Sequence, residues 1–393
     1  MSLQLATRTQ CLAASETLAM NAQVSELRKQ GESVISLGAG EPDFAPPTKL
    51  IKATQAALTH SFHYAPVKGI VELRTAIAQK LQRENNIVTS PDSIVVTAGA
   101  KQALFNLIAV LCDVGDECIV PTPAWGSYQA MIEVFGGVMV GVDTSASDFT
   151  ITAKAIESVI TAKTKLIIVS SPHNPTGNVI SKDELIAIAR LAKEKNVLII
   201  SDEVYEHFVY DGQSHFSLES LDEFKDIVCT VNSFSKSLGI TGWRVGYCCG
   251  PKEIMTKVEQ LQSHSTSNPV SAVQYGLAET LNQKSFSDFY QHNKNMYQQR
   301  RDVICATLQE VPGCSVIRPQ GAFYVFVKFA DSIINRFGGS TALAQSLLQA
   351  QLVATVPGVA FGQQYDNYLR LSFTLPEEEL VEAVARIKRH VNK

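Results

Sequence analysis

A chain of 393 residues that is 45% hydrophobic and 18% charged can fill two substantial cores and lies far from the disordered class. Its formal net charge of −4 gives no bulk attraction to nucleic acid or to an acidic membrane surface. The eight cysteines include no CxxC pair, and the adjacent Cys248 and Cys249 suit neither a disulfide framework nor zinc spacing, so a reduced, cytoplasmic setting is expected.

The opening, MSLQLATRTQCLAASET, has no unbroken apolar core of signal-peptide length, and no later segment approaches the length of a membrane span. A helix is predicted next: Ser15 can cap it, Gly31 can end it, and Leu18, Ala22 and Leu27 fall on roughly one face. The Gly/Pro-rich loop LGAGEPDFAPP follows at 37–47. From about residue 90, short β-branched apolar runs alternate with helical periodicity. The runs are SIVVTAG (93–99), ECIVPTP (117–123), VMVGVDT (138–144), KLIIVSSP (165–172), VLIISDE (197–203), DIVCTVNS (226–233) and RVGYCCG (244–250). Between the first two, Leu104, Leu107, Ile108 and Leu111 share a helical face. Continuous apolar strands between helices imply a mostly parallel sheet covered on both sides. RVGYCCG follows its predecessor too closely for a helical crossover, which predicts one antiparallel strand.

Near 286 the character changes. A long helical pattern, FSDFYQHNKNMYQQRRDVICATLQEV, leads into strand-like AFYVFVKF and YLRLSF. A final helix should turn Leu380, Ala383, Ile387 and Val391 inward. The expectation is an α/β protein with a large domain at 45–287 and a smaller α+β domain built from 1–44 and 288–393.

In open α/β sheets, ligands bind beyond the carboxyl ends of the strands. Five of the runs are followed by polar or aromatic groups. Gly99, Ala100 and Lys101 follow the first and offer backbone N–H groups at a helix start, which favours a phosphate. Ser233, Ser235 and Arg244 add hydroxyls and a fixed cation to the same task. Trp125 offers a flat face for an aromatic ring, and Asp202 a carboxylate that can keep a ring nitrogen protonated. Asn174 and Tyr205 can both hydrogen-bond one ring hydroxyl. A phosphate, a pyridine nitrogen and a phenolic oxygen describe pyridoxal 5′-phosphate (PLP), and Lys236 is the amine that would carry its aldehyde. Taken singly, these residues have plainer readings: Lys236 as a solvated cation, Asp202 as a helix cap, Trp125 as packing, Arg244 as half of an ion pair, Arg370 as a solvent-facing strand residue. The constellation is what carries the argument.

In order and spacing, SFSKSLGITGWRVG, HNPTG, SDEVYEH, GAKQAL, the Tyr64-Ala65-Pro66 turn, GEPDF and the late Arg370 resemble the fold-type I, class I PLP aminotransferases, nearest the bacterial-type aspartate aminotransferase subgroup. The likeness covers essentially the whole chain. It implies a large domain with a mostly parallel seven-stranded sheet, a smaller α+β domain, and a homodimer with its active sites at the subunit interface. Tyr64 would then reach the phosphate of the neighbouring subunit. Gly40 and Arg370 would hold the substrate α-carboxylate, with Asn174 and Trp125 bordering it. His173 stands where the family commonly has Asn, but Asn174 is kept.

Two rivals are weaker. A nicotinamide-binding domain would need GxGxxG after a first strand, and LGAGEPDF runs into prolines instead. A PLP-binding regulator would add a basic DNA-binding module, and none fits before Gly31. The expected chemistry is transamination by a ping-pong mechanism, with Lys236 as cofactor carrier and general base. In the resembling subgroup the positions of Lys101 and Thr17 are associated with acidic substrates. L-Aspartate with 2-oxoglutarate is therefore the expected pair. Prephenate, aromatic amino acids, kynurenine and alanine stay open as substrates, as does a β-lyase side activity.

Overall fold

Each of the seven apolar runs becomes a strand of one sheet. In the computed structural model, which describes residues 4–12 and 16–392, a two-residue strand β1 (Ile35–Ser36) comes first. The sheet is then built from β2 (Ile94–Thr97), β3 (Glu117–Thr122), β4 (Val138–Asp143), β5 (Thr164–Ser170), β6 (Leu198–Asp202), β7 (Val228–Ser233) and β8 (Gly246–Cys249). Their order is β2-β8-β7-β6-β5-β3-β4. The predicted antiparallel strand is β8, which opposes both β2 and β7, while the other neighbours run parallel. The strands read as continuous apolar runs because both faces are covered. On β5, Leu166 and Ile168 pack with Leu104, Leu107 and Ile108 of the helix Ala100–Leu111, as its periodicity predicts. The alternate residues Ile167 and Val169 pack with Leu185, Ile188 and Ala189 of the helix Lys182–Glu194.

A second sheet takes β9 (Cys314–Val316), β10 (Tyr324–Phe329), β12 (Val356–Pro357) and β13 (Tyr368–Ser372), antiparallel throughout in the order β12-β13-β10-β9. The short strand β11 (Val353–Ala354) pairs in parallel with β1. The 26-residue helix Lys284–Gln309 and the final helix Glu377–Val391 close this region. Leu380, Ala383, Ile387 and Val391 are buried there, as their spacing predicts. The same core takes in Met20, Val24, Ile35 and Leu37 from the start of the chain.

The opening helix corrects one expectation. It spans Glu16–Lys29 and stops at Gly31, whose φ of +90° suits glycine and lets the Glu32 N–H donate to Leu27 O at 3.1 Å. Ser15 lies outside the described residues. The buried face is Met20 and Val24 with Leu27 packed against the core, at i, i+4 and i+7; Leu18 and Ala22 are exposed. Leu18 sits about 200° round the helix from Met20, and it lines the cleft described next. No helix among the described residues is long and apolar enough to cross a membrane.

Candidate active site

The carboxyl ends of β3, β5, β6 and β7 open onto a cavity of about 490 Å3, bordered across from them by Gly40, Tyr324 and Arg370. Asp202 is the last residue of β6, in register with Ser170, the last of β5. Ser233 ends β7 and caps the short helix Phe234–Ser237 by accepting the Ser235 N–H at 3.1 Å. That single turn presents Lys236 to the cavity.

Lys236 Nζ donates to the Gly40 carbonyl at 2.5 Å. Burial lowers its pKa to about 8, helped by Arg370, Arg244 and Lys101 and opposed by Glu41. Asp202 is 4% exposed. It accepts the Tyr128 hydroxyl on Oδ2 at 2.6 Å and the Val204 N–H on Oδ1 at 3.3 Å. Burial pushes its carboxyl up to about 6 despite these donors. The Tyr205 hydroxyl lies 2.9 Å from that of Tyr324.

Arg370 is 3% exposed rather than solvent-facing. It donates from Nη1 to Asn174 Oδ1 at 3.1 Å and from Nη2 to Gly38 O at 2.8 Å, and its guanidinium lies 4.4 Å from the Tyr324 ring centroid. Its buried Nε has no hydrogen-bond partner among the described residues. A guanidinium held so firmly yet left with a spare donor is suited to a carboxylate. Gly40 has to be glycine, because a Cβ there would fall 2.5 Å from the Tyr324 hydroxyl.

At the other end of the cavity, Gly99 precedes the helix Ala100–Leu111 at φ +83°, and a Cβ on it would stand 2.7 Å from Arg244 Nη2. Arg244 is tied by Nη1 to Thr241 O at 2.8 Å and by Nη2 to Ala98 O at 3.2 Å. The Ser233 and Ser235 hydroxyls are 2.9 Å apart. A helix start, two hydroxyls and a guanidinium make an anion cup. Lys101 Nζ lies 4.8 Å above the Trp125 ring, and burial with the Arg244 charge lowers its pKa.

A profile of the aminotransferase class I and II family matches residues 32–387. The chain belongs to that family. It is 43% identical to a probable aspartate/prephenate aminotransferase of Aquifex aeolicus, over 98% of both chains. It is 39% identical to an aspartate aminotransferase of Bacillus subtilis over the full length of both. Among solved structures, the aspartate aminotransferase of Thermus thermophilus with maleate superposes with a TM-score of 0.92 at 40% identity, covering 99% of this chain and 100% of that one. The resemblance read from the motifs, and the fold it implied, are both borne out.

In this aminotransferase the cavity gathers Gly40, Ala100, Lys101, Trp125, Asn174, Asp202 and Tyr205. It also gathers Ser233, Ser235, Lys236, Arg244 and Arg370. Tyr64 is elsewhere, 92% exposed on the surface. Thr17 lies in the first helix, and its side chain is outside the described residues. The sequence reading missed Tyr128, Tyr324 and Glu41. Tyr128 carried a signal, standing three residues beyond Trp125 at the start of a helix. Tyr324 had one in AFYVFVKF, where alternation puts it on the same side of its strand as Phe326.

Proposed function

We propose that this aminotransferase uses PLP carried by Lys236. Its amino donor would be L-aspartate or a similar acidic amino acid, and its acceptor 2-oxoglutarate, in a ping-pong cycle. The observation that carries the reading is Lys236 itself, a partly buried amine with a pKa lowered to about 8, lining the cavity that also holds Asp202 and Arg370. The residues fit the cofactor. The anion cup suits the phosphate, Trp125 the ring face, Asp202 the ring nitrogen, and Asn174 with Tyr205 the ring oxygen. The orphaned Nε of Arg370 is left for the substrate carboxylate. When bound, PLP supplies an aldehyde for the amino group and a ring that withdraws electrons from the substrate's Cα.

The chain's own residues do the rest. Lys236, near neutrality partly unprotonated, is both a nucleophile and a base that can move the proton at Cα. The Asp202 carboxylate would hold the proton on the cofactor's ring nitrogen. Arg370 fixes the carboxylate as a planar fork, which orients the Cα–H bond; orientation of this kind is worth several kcal/mol, on the order of 7–11 at best. Lys101 supplies a cation for the second carboxylate of an acidic substrate. A second reading, prephenate as acceptor, is supported by the names of the Aquifex relative and of a Thermus thermophilus aspartate/prephenate aminotransferase that is 40% identical. We further propose a cytoplasmic homodimer in which Tyr64 of one chain serves the other's site, consistent with eight free cysteines and an exposed Tyr64. The division at 45–287 is likewise a proposal; the helix Lys284–Gln309 runs through its far boundary unbroken.

The test uses PLP and L-aspartate without any acceptor. Borohydride added before the aspartate should fix PLP to the Lys236 peptide, and in a parallel unreduced sample oxaloacetate should appear in one equivalent per subunit. Fixation without oxaloacetate rejects aspartate and keeps the cofactor. No fixation, or steady-state turnover by Lys236→Ala, overturns the reading.

A further inference from the structure

One fully buried hydroxyl at the site has no assigned task. Tyr128 opens the helix Ser127–Val134 after β3 and is 3% exposed. In the sheet, β5 lies between β3 and β6. The Tyr128 side chain must therefore cross the end of β5 to meet Asp202. The residue it crosses is Ser170, small enough to let the ring pass, and the Ser170 hydroxyl lies beside the phenol oxygen. Trp125 meets the Tyr128 ring edge-on, with centroids 5.4 Å apart. A phenylalanine would fill the same space without burying a polar atom. A buried phenol is stable only because its oxygen is partnered, and the partner here is Asp202 Oδ2 at 2.6 Å.

We propose that Tyr128 is a positioning residue for Asp202, holding its carboxylate charged and leaving Oδ1 as the oxygen that pairs with the cofactor's ring nitrogen. The proposal rests on the PLP reading above. Among the described residues Oδ1 accepts only the long Val204 N–H at 3.3 Å, so it keeps lone pairs to offer. The titratable groups facing Asp202 are Tyr128, from the element beyond β5, and Glu203 and Tyr205, from the segment after β6. Burial and the neighbouring Glu203 both work against the Asp202 charge, and Tyr128 is the side-chain donor that opposes them. Burial and the Asp202 charge keep the phenol protonated, so it acts as a donor only.

Tyr128→Phe keeps the ring and removes the oxygen. Equilibrium dialysis with PLP should show affinity weakened about tenfold to a hundredfold, the range for a hydrogen bond to a charged group. The kcat should fall in the same range while KM for the amino acid moves by no more than about twofold. In an Asp202→Asn background, adding Tyr128→Phe should change nothing further, because its effect passes through the carboxylate. Wild-type PLP affinity and kcat in Tyr128→Phe, or equal effects of Tyr128→Phe in the wild-type and Asp202→Asn backgrounds, would reduce Tyr128 to packing and overturn the proposal. Asp202→Asn binding PLP as tightly as wild type would instead bring down the cofactor reading. If Tyr128→Phe does not fold, Ser170→Ala decides, because it removes the hydroxyl that hydrogen-bonds the phenol and leaves Tyr128 and Asp202 in place: weaker PLP binding supports the positioning of Asp202 through Tyr128, and unchanged binding rejects it.

Discussion

Lys236 shows how much a single environment changes a residue. In the sequence it is a lysine between two serines; in the fold its amine is partly buried in a cavity that also holds two guanidiniums, and its pKa falls to about 8. The neutral amine is the form that can take up an aldehyde, so uptake of PLP by cofactor-free enzyme should accelerate as pH rises through about 8 and then level off. Stopped-flow absorbance, with borohydride trapping at Lys236, measures this. A rate still climbing at about pH 10, as for an ordinary lysine, would refute the buried-amine account. Arg370 makes the opposite point about legibility. Alternation in YLRLSF places it but does not bury it. Its burial comes from Tyr324, Phe361 and Asn174, which approach from other parts of the chain. Sequence reading found the polar residues that follow strands. It missed Tyr128 and Tyr324, which meet the site only through tertiary contact with Asp202 and Tyr205.

The segment SDEVYEH, which starts in the last two residues of β6, carries the site residues Asp202 and Tyr205, and its two glutamates tie it to distant parts of the chain. Glu203 accepts hydrogen bonds from Ser201 at 2.8 Å and Ser217 at 2.5 Å, and pairs with His215 at 2.8 Å. Glu206 pairs with the buried Lys80 and accepts Asn85 Nδ2 at 2.6 Å. Burial works against the Glu206 charge, but Lys80 with His207, His215 and Asn85 holds its carboxyl at about 2. Removing one partner of a buried pair strands the other, so Lys80→Met should cost about 3–5 kcal/mol in urea unfolding at about pH 7. Lys80→Met with Glu206→Leu should recover most of that. A double variant no more stable than the single one would show that the pair is not the unit of stability. The depressed carboxyl contributes stability above the ordinary Glu range and loses it as pH falls toward about 2. None of this network was legible, because residues 80, 85, 215 and 217 share no local pattern with 203–206. Local patterns did set the sheet and the last helix. They failed at the first helix, where Leu18 looked as apolar as Met20 and only the core against β1 and β11 decides which face is buried.

At the scale of the whole molecule, stability and assembly each make a measurable demand. Glu219 is buried beside Cys249, its carboxylate 3.2 Å from the thiol, and burial pushes its pKa up to about 7. A carboxyl raised in the fold contributes stability that is full below pH 4.5 and is lost as pH rises through about 7. Glu219→Gln removes that loss. Its stability relative to wild type should therefore grow by on the order of 3 kcal/mol between about pH 5 and about pH 8. A difference independent of pH would mean that Glu219 stays charged in the fold. Assembly turns on the surface around Tyr64. Leu58, Phe62 and Tyr64 are 59%, 75% and 92% exposed, and nearby Val270 is 56% exposed. The loop carrying them is pinned to the helix Ser271–Thr280 by the Ser271 hydroxyl on His63 O at 3.3 Å. An apolar patch held in place, with a phenol projecting from it, is built to meet another surface. In the proposed dimer, that surface is a second copy. A chain carrying Lys236→Ala and a chain carrying Tyr64→Ala would then complement each other. The hybrid has one site with both defects and one with neither, because the intact Lys236 of one chain meets the intact Tyr64 of the other. Coexpressed and purified with two different tags, it should show about half the wild-type rate per dimer, while each homodimer is impaired. If Tyr64 instead served its own chain, both sites of the hybrid would keep a defect. The hybrid would then do no better than the average of its parents.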